Sequence, residues 1–348
     1  MINMPLLSED NQMYYKDSLR YRQVWLGFAL IGIILYHWPL NVSVIPYLRK
    51  YGYGGVDICI YASGIGSFYS LCSESNILAF MKRRLKRLAP TYLIFIMAWL
   101  LYQILADNFS FQMALGNILA IQNFTGLDSD FNWYISAILL CYILAPYFKA
   151  IIDQASPVQK ALFLLLLLAF TIPFWRAHTY IITVTRLPLF FIGMLFADLC
   201  KKDVRISGRH IVGMVVSFIL GAAFLVVAHS RAPQYLWSHG LYWYPFILIT
   251  PPLCIALSRI SMVLEKAKAT KPLVSFLSLC GNYSFELYLV HILLTLCISA
   301  FIRLFNLYHI SNVVWGAGII LIVIGCFMLR RTTMLVTNLF NTHLSKNH

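Results

Sequence analysis

Residues 24–42 read VWLGFALIGIILYHWPLNV, and from Val24 to Leu40 their only ionisable side chain is His37. A helix rising about 1.5 Å per residue needs roughly 20 such residues to cross a hydrocarbon core about 30 Å thick. The run is therefore read as a membrane span rather than as a helix of a soluble core. The residues before it are polar and charged, and no small-x-small cleavage site follows it. A retained helix is expected here, not a signal peptide.

The rest of the chain repeats the pattern. Its 348 residues are 60% hydrophobic and 11% charged, against about 25% charged in soluble domains. Apolar runs of spanning length recur at 24–42, 55–73, 88–106, 132–152, 160–177, 180–199, 209–229, 241–263, 283–302 and 312–330. The expected fold class is all-α, a polytopic membrane protein with about ten transmembrane helices. One membrane-embedded domain over 1–348 is expected, with 1–23 and 331–348 as cytoplasmic tails.

A formal charge of +14 can signal nucleic acid, but the distribution of the charges points elsewhere. Placing the N-terminus inside leaves only Arg49, Lys50, Arg176, Arg186, Arg231 and Arg303 of the 27 Lys and Arg outward. This is the positive-inside bias, so both termini are expected in the cytoplasm and no nucleic-acid partner is needed. The eight cysteines fall within or beside the runs with no CxxC spacing, which argues against a disulfide framework or a zinc site.

Four polar features stand out in this apolar setting. His37 lies roughly 20 Å above Val24 along the helix, about two thirds of the way across. Either it packs helices through a carbonyl, or it is chemically active. Asp57 follows Gly52, Gly54 and Gly55 into the second span, and the small residues Ala62, Ser63, Gly64 and Gly66 continue along it. That stripe either admits a neighbouring helix or leaves room for something thin. A carboxylate near an imidazole fixes its tautomer and stabilises its charged form, as a general base requires. In FMKRRLKRLAPTYL (80–93), Arg84 and Arg87 are three apart on one helical face and Pro90 opens the next crossing. Such a cluster sets topology or binds phosphate through guanidinium forks. The connection 107–131 holds Asp107, Asp128 and Asp130 but no Lys or Arg, and its middle is too short to cross. A short interfacial or re-entrant helix is expected there.

Six stretches, in order along the chain, resemble the integral-membrane acyltransferase family 3, which includes bacterial O-acetyltransferases of surface polysaccharides. LGFALIGIILYHW is similar to the first-helix motif ending in the active-site histidine, and YGGVDICIYASGI to the family's GGVDIFFFLSGF stretch. FMKRRLKRLAPTY resembles the basic R-x-x-R-x-x-P segment, and NWYISAILLCYILAPY the WxLSxExxFY helix. RLPLFFIGMLFA resembles RLPxFxxGxLxA, and GNYSFELYLVH the SYSLYLxH helix. Two positions depart from the pattern. Leu26 stands where the family often has an arginine, with Arg20 and Arg22 earlier in the chain, and Ile138 and Leu139 stand where it usually has a glutamate.

The resemblance implies a bacterial cytoplasmic (plasma) membrane enzyme. Its donor would be acetyl-CoA or another acyl-CoA, and its acceptor a hydroxyl of a surface glycan or lipid-linked sugar, with no metal. Arg84 and Arg87 are expected to hold the donor's phosphates, with its pantetheine arm passing Ser63 toward His37. His37 would act as general base or carry the acyl group, and Asp57 would orient it. Tyr134, Ser136 and Arg186 are candidate donors to the oxyanion, and Trp133 a candidate sugar-stacking residue. His291 matches the family histidine and is expected to line the donor or acyl path, whereas Glu286 is read as structural. The rival reading is a transporter or flippase of a glycan or small solute. It weakens because glycine interruption is concentrated in one span, not paired between two halves.

Overall fold

The computed structural model describes residues 13–39, 49–74, 76–124 and 133–346. Among them the regular elements are helices: α1 Arg22–His37, α2 Gly55–Ser73, α3 Ile77–Leu105, α4 Phe111–Ile118, α5 Trp133–Gln154, α6 Pro157–Phe170, α7 His178–Val184, α8 Leu187–Lys201, α9 Gly208–Arg231, α10 Tyr244–Lys266, α11 Lys271–Asn282, α12 Ser284–Leu304 and α13 Ser311–Lys346. Eight helical stretches among the described residues are long and apolar enough to cross a membrane, against the ten expected. Their outward faces are apolar: Leu162, Leu165 and Leu166 on α6, Val212 and Ile219 on α9, and Ile320 and Val323 on α13 are all exposed. Surfaces of this kind suit lipid, where every backbone polar group must be met within the helix. The chain is an all-helical, multi-pass membrane protein.

The two missing spans are the first and second. The helix α1 has 16 residues, about 24 Å of rise, and stops at His37. Pro39, two residues on, lacks an amide hydrogen and disfavours helical geometry at the residue before it. The end of the expected span, residues 40–42, lies outside the described residues. The expected bounds of α2 hold, but Asp57 and the Gly and Ser residues dilute its apolar character.

Other boundaries also moved. The helix α3 runs unbroken through Pro90, so Arg84 and Arg87 sit on the same helix as the crossing they precede. The sixth span divides into α7 and α8, with Thr185 and Arg186 at the break and Pro188 in the first turn of α8. The helix α13 continues 16 residues past its expected end, through most of the expected C-terminal tail. Within 107–131, a short helix forms as expected. In α4, Ser110 Oγ accepts from Met113 N at 3.1 Å, and Tyr92 donates to Asn117 O at 2.6 Å. Residues 125–131 of that connection, with Asp128 and Asp130, lie outside the described residues.

The chain divides into two compact units. The first comprises residues up to Trp25, Asp57–Ser73 and Leu144–Ser278. In it α2 and α8 meet backbone to backbone: a Cβ on Gly64 would lie 2.2 Å from Phe190 O, and one on Gly193 2.3 Å from Tyr61 O. The residues before α1 are also tied down. Tyr15 N donates to Val204 O at 3.1 Å and Ile206 N to Met13 O at 3.0 Å, while Lys16 pairs with Asp203 at 2.8 Å.

The second unit comprises Leu26–Val56, Glu74–Ile143 and Leu279 onward. Here α3, α12 and α13 pack together, and the end of α1 is pinned to α13. Trp38 Nε1 donates to Trp315 O at 3.0 Å, and its ring fills the space that a side chain on Gly318 would need.

Candidate active site

In the second unit, two predicted residues far apart in sequence come together. His37, the last residue of α1, places Nδ1 3.3 Å from Nε2 of His291 on α12. The same His37 nitrogen lies 3.1 Å from Ile33 O, one turn back on its own helix. His291 Nδ1 lies 2.8 Å from Leu287 O, again one turn back. His37 is exposed, whereas His291 behind it is wholly buried at 0%. Tyrosines surround the pair: Tyr36 stands edge-on to His37 at 5.0 Å, and Tyr288 packs 5.9 Å from His291. Tyr134 rests 4.7 Å from Tyr288, so this predicted residue joins the same contact chain, with Trp133 edge-on to it at 6.3 Å.

The other predicted residues of this unit have different surroundings. Arg84 is 8% exposed, and its guanidinium lies between the Phe80 and Tyr142 rings, 5.2 Å from each centroid. Arg87 is exposed. The face expected to present two arginines thus presents one openly and holds the other against aromatic rings. Ser136 donates its hydroxyl hydrogen to Ala120 O at 2.7 Å and is buried, a role that fastens the connection before α5.

In the first unit, Asp57 and Arg186 form an ion pair, Oδ1 to Nε at 3.3 Å, with side chains 3% and 1% exposed. Arg186 sits at the break between α7 and α8, where its Nη1 donates to Thr185 Oγ1 at 3.2 Å and its guanidinium lies 4.9 Å from the Trp243 ring. Asp57 Oδ2 is buried without a hydrogen bond. A buried charge near an apolar helix end requires a countercharge, and each of these residues supplies the other's. Of the small residues on α2, Gly64 serves helix approach rather than leaving a passage. Ser63 is half-buried. Among the described residues, no group of three or more His, Cys, Asp or Glu side chains gathers to hold a metal.

Neither pairing was recognised in the sequence. The His37–His291 contact joins positions 254 residues apart. A usable signal did exist for Asp57 and Arg186: opposite charges placed near the starts of two apolar helices.

The fold and these joints define a multi-pass membrane protein with a histidine pair at the end of a shortened helix. The chain belongs to the acyltransferase 3 family, whose model, described as an acyltransferase domain, matches residues 15–331. O-acetyltransferase OatA of Staphylococcus aureus strains NCTC 8325 / PS 47, COL and MRSA252 is 25% identical over 307 residues, covering 76% of this chain and 48% of the relative. The chain thus spans about half the length of the curated relatives it matches. No solved structure matches it.

Proposed function

We propose that the chain is an O-acyltransferase of a bacterial plasma membrane. It would pass an acetyl group from cytoplasmic acetyl-CoA to a hydroxyl of an extracytoplasmic glycan, with both termini in the cytoplasm. The observation that carries this reading is the exposed His37 ring, backed by His291, in a chain of the acyltransferase 3 family. The likeness to OatA supports acetyl as the group.

His37 takes the proton of the acceptor hydroxyl as its oxygen attacks the thioester carbonyl. The C–O bond forms, the C–S bond breaks, and the proton passes on to the departing thiolate. In the relay form of the reaction, the ring nitrogen bonds to the carbonyl carbon as the C–S bond breaks and the thiolate departs; the hydroxyl oxygen then forms the C–O bond as the C–N bond breaks, its proton passing to the thiolate. Arg87 and Arg84 meet the donor's phosphates, Arg84 having its guanidinium plane fixed by Phe80 and Tyr142. Asp57 and Arg186 compensate each other's charge at the starts of α2 and α8. Tyr134 and Trp133 border the acceptor.

The test is purified protein in lipid nanodiscs with labelled acetyl-CoA and a bacterial surface glycan, wild type beside His37→Ala. Wild type should release coenzyme A and label the glycan, and His37→Ala should lose about 10²- to 10⁴-fold in turnover, the scale of general-base catalysis. Donor turnover that survives His37→Ala removes this mechanism. No turnover in wild type, together with solute flux in proteoliposomes, replaces it with transport. Exchanging Arg84 and Arg87 together for Gln should raise the KM for acetyl-CoA, and an unchanged KM returns the cluster to setting topology.

A further inference from the structure

We propose that His291 is a positioning residue that sets the tautomer of His37, so that Nε2 of His37 is the nitrogen that accepts the substrate's proton or the acyl group. The inference rests on the acyltransferase reading above. It assigns His291 to a different task from lining the donor path.

A carbonyl oxygen only accepts, so the nitrogen facing it must carry hydrogen. His291 Nδ1, 2.8 Å from Leu287 O, is therefore an N–H donor. In the neutral ring that leaves His291 Nε2 as an acceptor, and this is the atom 3.3 Å from His37 Nδ1. His37 Nδ1 thus faces two acceptors, Ile33 O at 3.1 Å and His291 Nε2. It carries hydrogen and shares it in a three-centre bond. With hydrogen on Nδ1, the lone pair of neutral His37 is on Nε2.

A hydrogen-bonded chain thus runs from His37 through His291 to Leu287 O on α12, each ring oriented by a carbonyl one helical turn back. Complete burial of His291 keeps water from competing for the link. When Nε2 takes a proton, the imidazolium retains its Nδ1–H donation to His291, which disperses the new charge. Ile33 O favours the same tautomer, but it is only one of the two acceptors between which the hydrogen is shared. His291 adds a second acceptor from another helix and fixes the plane of the ring.

The experiment has kinetic and spectroscopic arms. His291→Leu removes the acceptor, and kcat should fall about 10- to 10²-fold, short of the loss in His37→Ala, with the KM for acetyl-CoA unchanged. His291→Gln offers an amide oxygen near the former Nε2 and should recover kcat to within about threefold of wild type. Independently, protein with ¹³C,¹⁵N-histidine in nanodiscs, its His37 signal assigned by loss in His37→Ala, should show the Nδ1–H tautomer. In His291→Leu that signal should become a tautomer mixture.

A wild-type His37 signal of the Nε2–H form would falsify the assignment. So would His291→Leu with wild-type kcat, or with raised KM and intact kcat, the latter being the mark of a donor-lining residue. Failure of the acyltransferase reading looks different: wild type itself would not turn over acetyl-CoA, and the spectroscopic arm would still decide the tautomer.

Discussion

The His37–His291 pair and the Asp57–Arg186 pair are both polar joints among apolar helices, and they differ in what they can change. An imidazole can be buried uncharged and can give or take a proton while keeping its contacts. A carboxylate and a guanidinium hold fixed charges whose removal from water costs several kcal/mol per ion, offset only by close pairing. The first joint is built at the end of a helix stopped by Pro39, with one ring exposed. The second is closed, with both side chains at 3% exposure or less. The contrast suits the one to proton movement and the other to fixed geometry and potential.

Damage to the two joints should therefore be read by different instruments. Arg186→Leu leaves a buried, unpaired carboxylate and should destabilise by about 3–5 kcal/mol, measured as a lowered unfolding midpoint in detergent. Asp57→Asn in the same chain should recover most of that loss. His37→Ala, by contrast, should leave the midpoint near wild type while activity collapses. A silent Arg186→Leu, or a His37→Ala that unfolds, would erase the distinction.

A smaller effect should come from the helix contact that carries the ion pair. In Gly193→Ala the new methyl would sit 2.3 Å from Tyr61 O, forcing α2 and α8 apart at a cost of about 1–3 kcal/mol. The same midpoint measurement reads it, and Gly193→Leu should be worse. Smallest is Ser136→Ala, which removes the donor to Ala120 O and should cost about 0.5–1.5 kcal/mol. Its acceptor KM should remain at the wild-type value, since the hydroxyl already serves the backbone. A raised acceptor KM would return Ser136 to the substrate.

Much of this architecture was legible because apolar length alone decides membrane crossing. The bounds of α2 fell where they were expected, and α9 and α12 within a few residues of theirs. What the sequence hid was set by prolines acting in context. Pro39 helps end a helix, Pro188 starts one, and Pro90 rides inside one. In lipid a helix tolerates a proline when neighbouring groups meet the freed carbonyl, so the residue alone does not announce which case applies. His37, Asp57 and Arg186 were identifiable singly as polar residues in apolar runs. The pairing of His37 with His291 was not, because it belongs to tertiary packing across 254 residues and leaves no local spacing to read.

One joint outside both pairs constrains how the chain threads the bilayer. The short antiparallel bridge between Tyr14 and Arg205 holds two distant points of the chain at one depth, so the polypeptide between them must traverse the membrane an even number of times. Four of the eight long apolar stretches lie in that interval, beginning at Ile77, Trp133, Pro157 and Tyr180. Counted over the described residues, parity then has the shorter α1 and α2 traverse together, as an out-and-back excursion, or not at all.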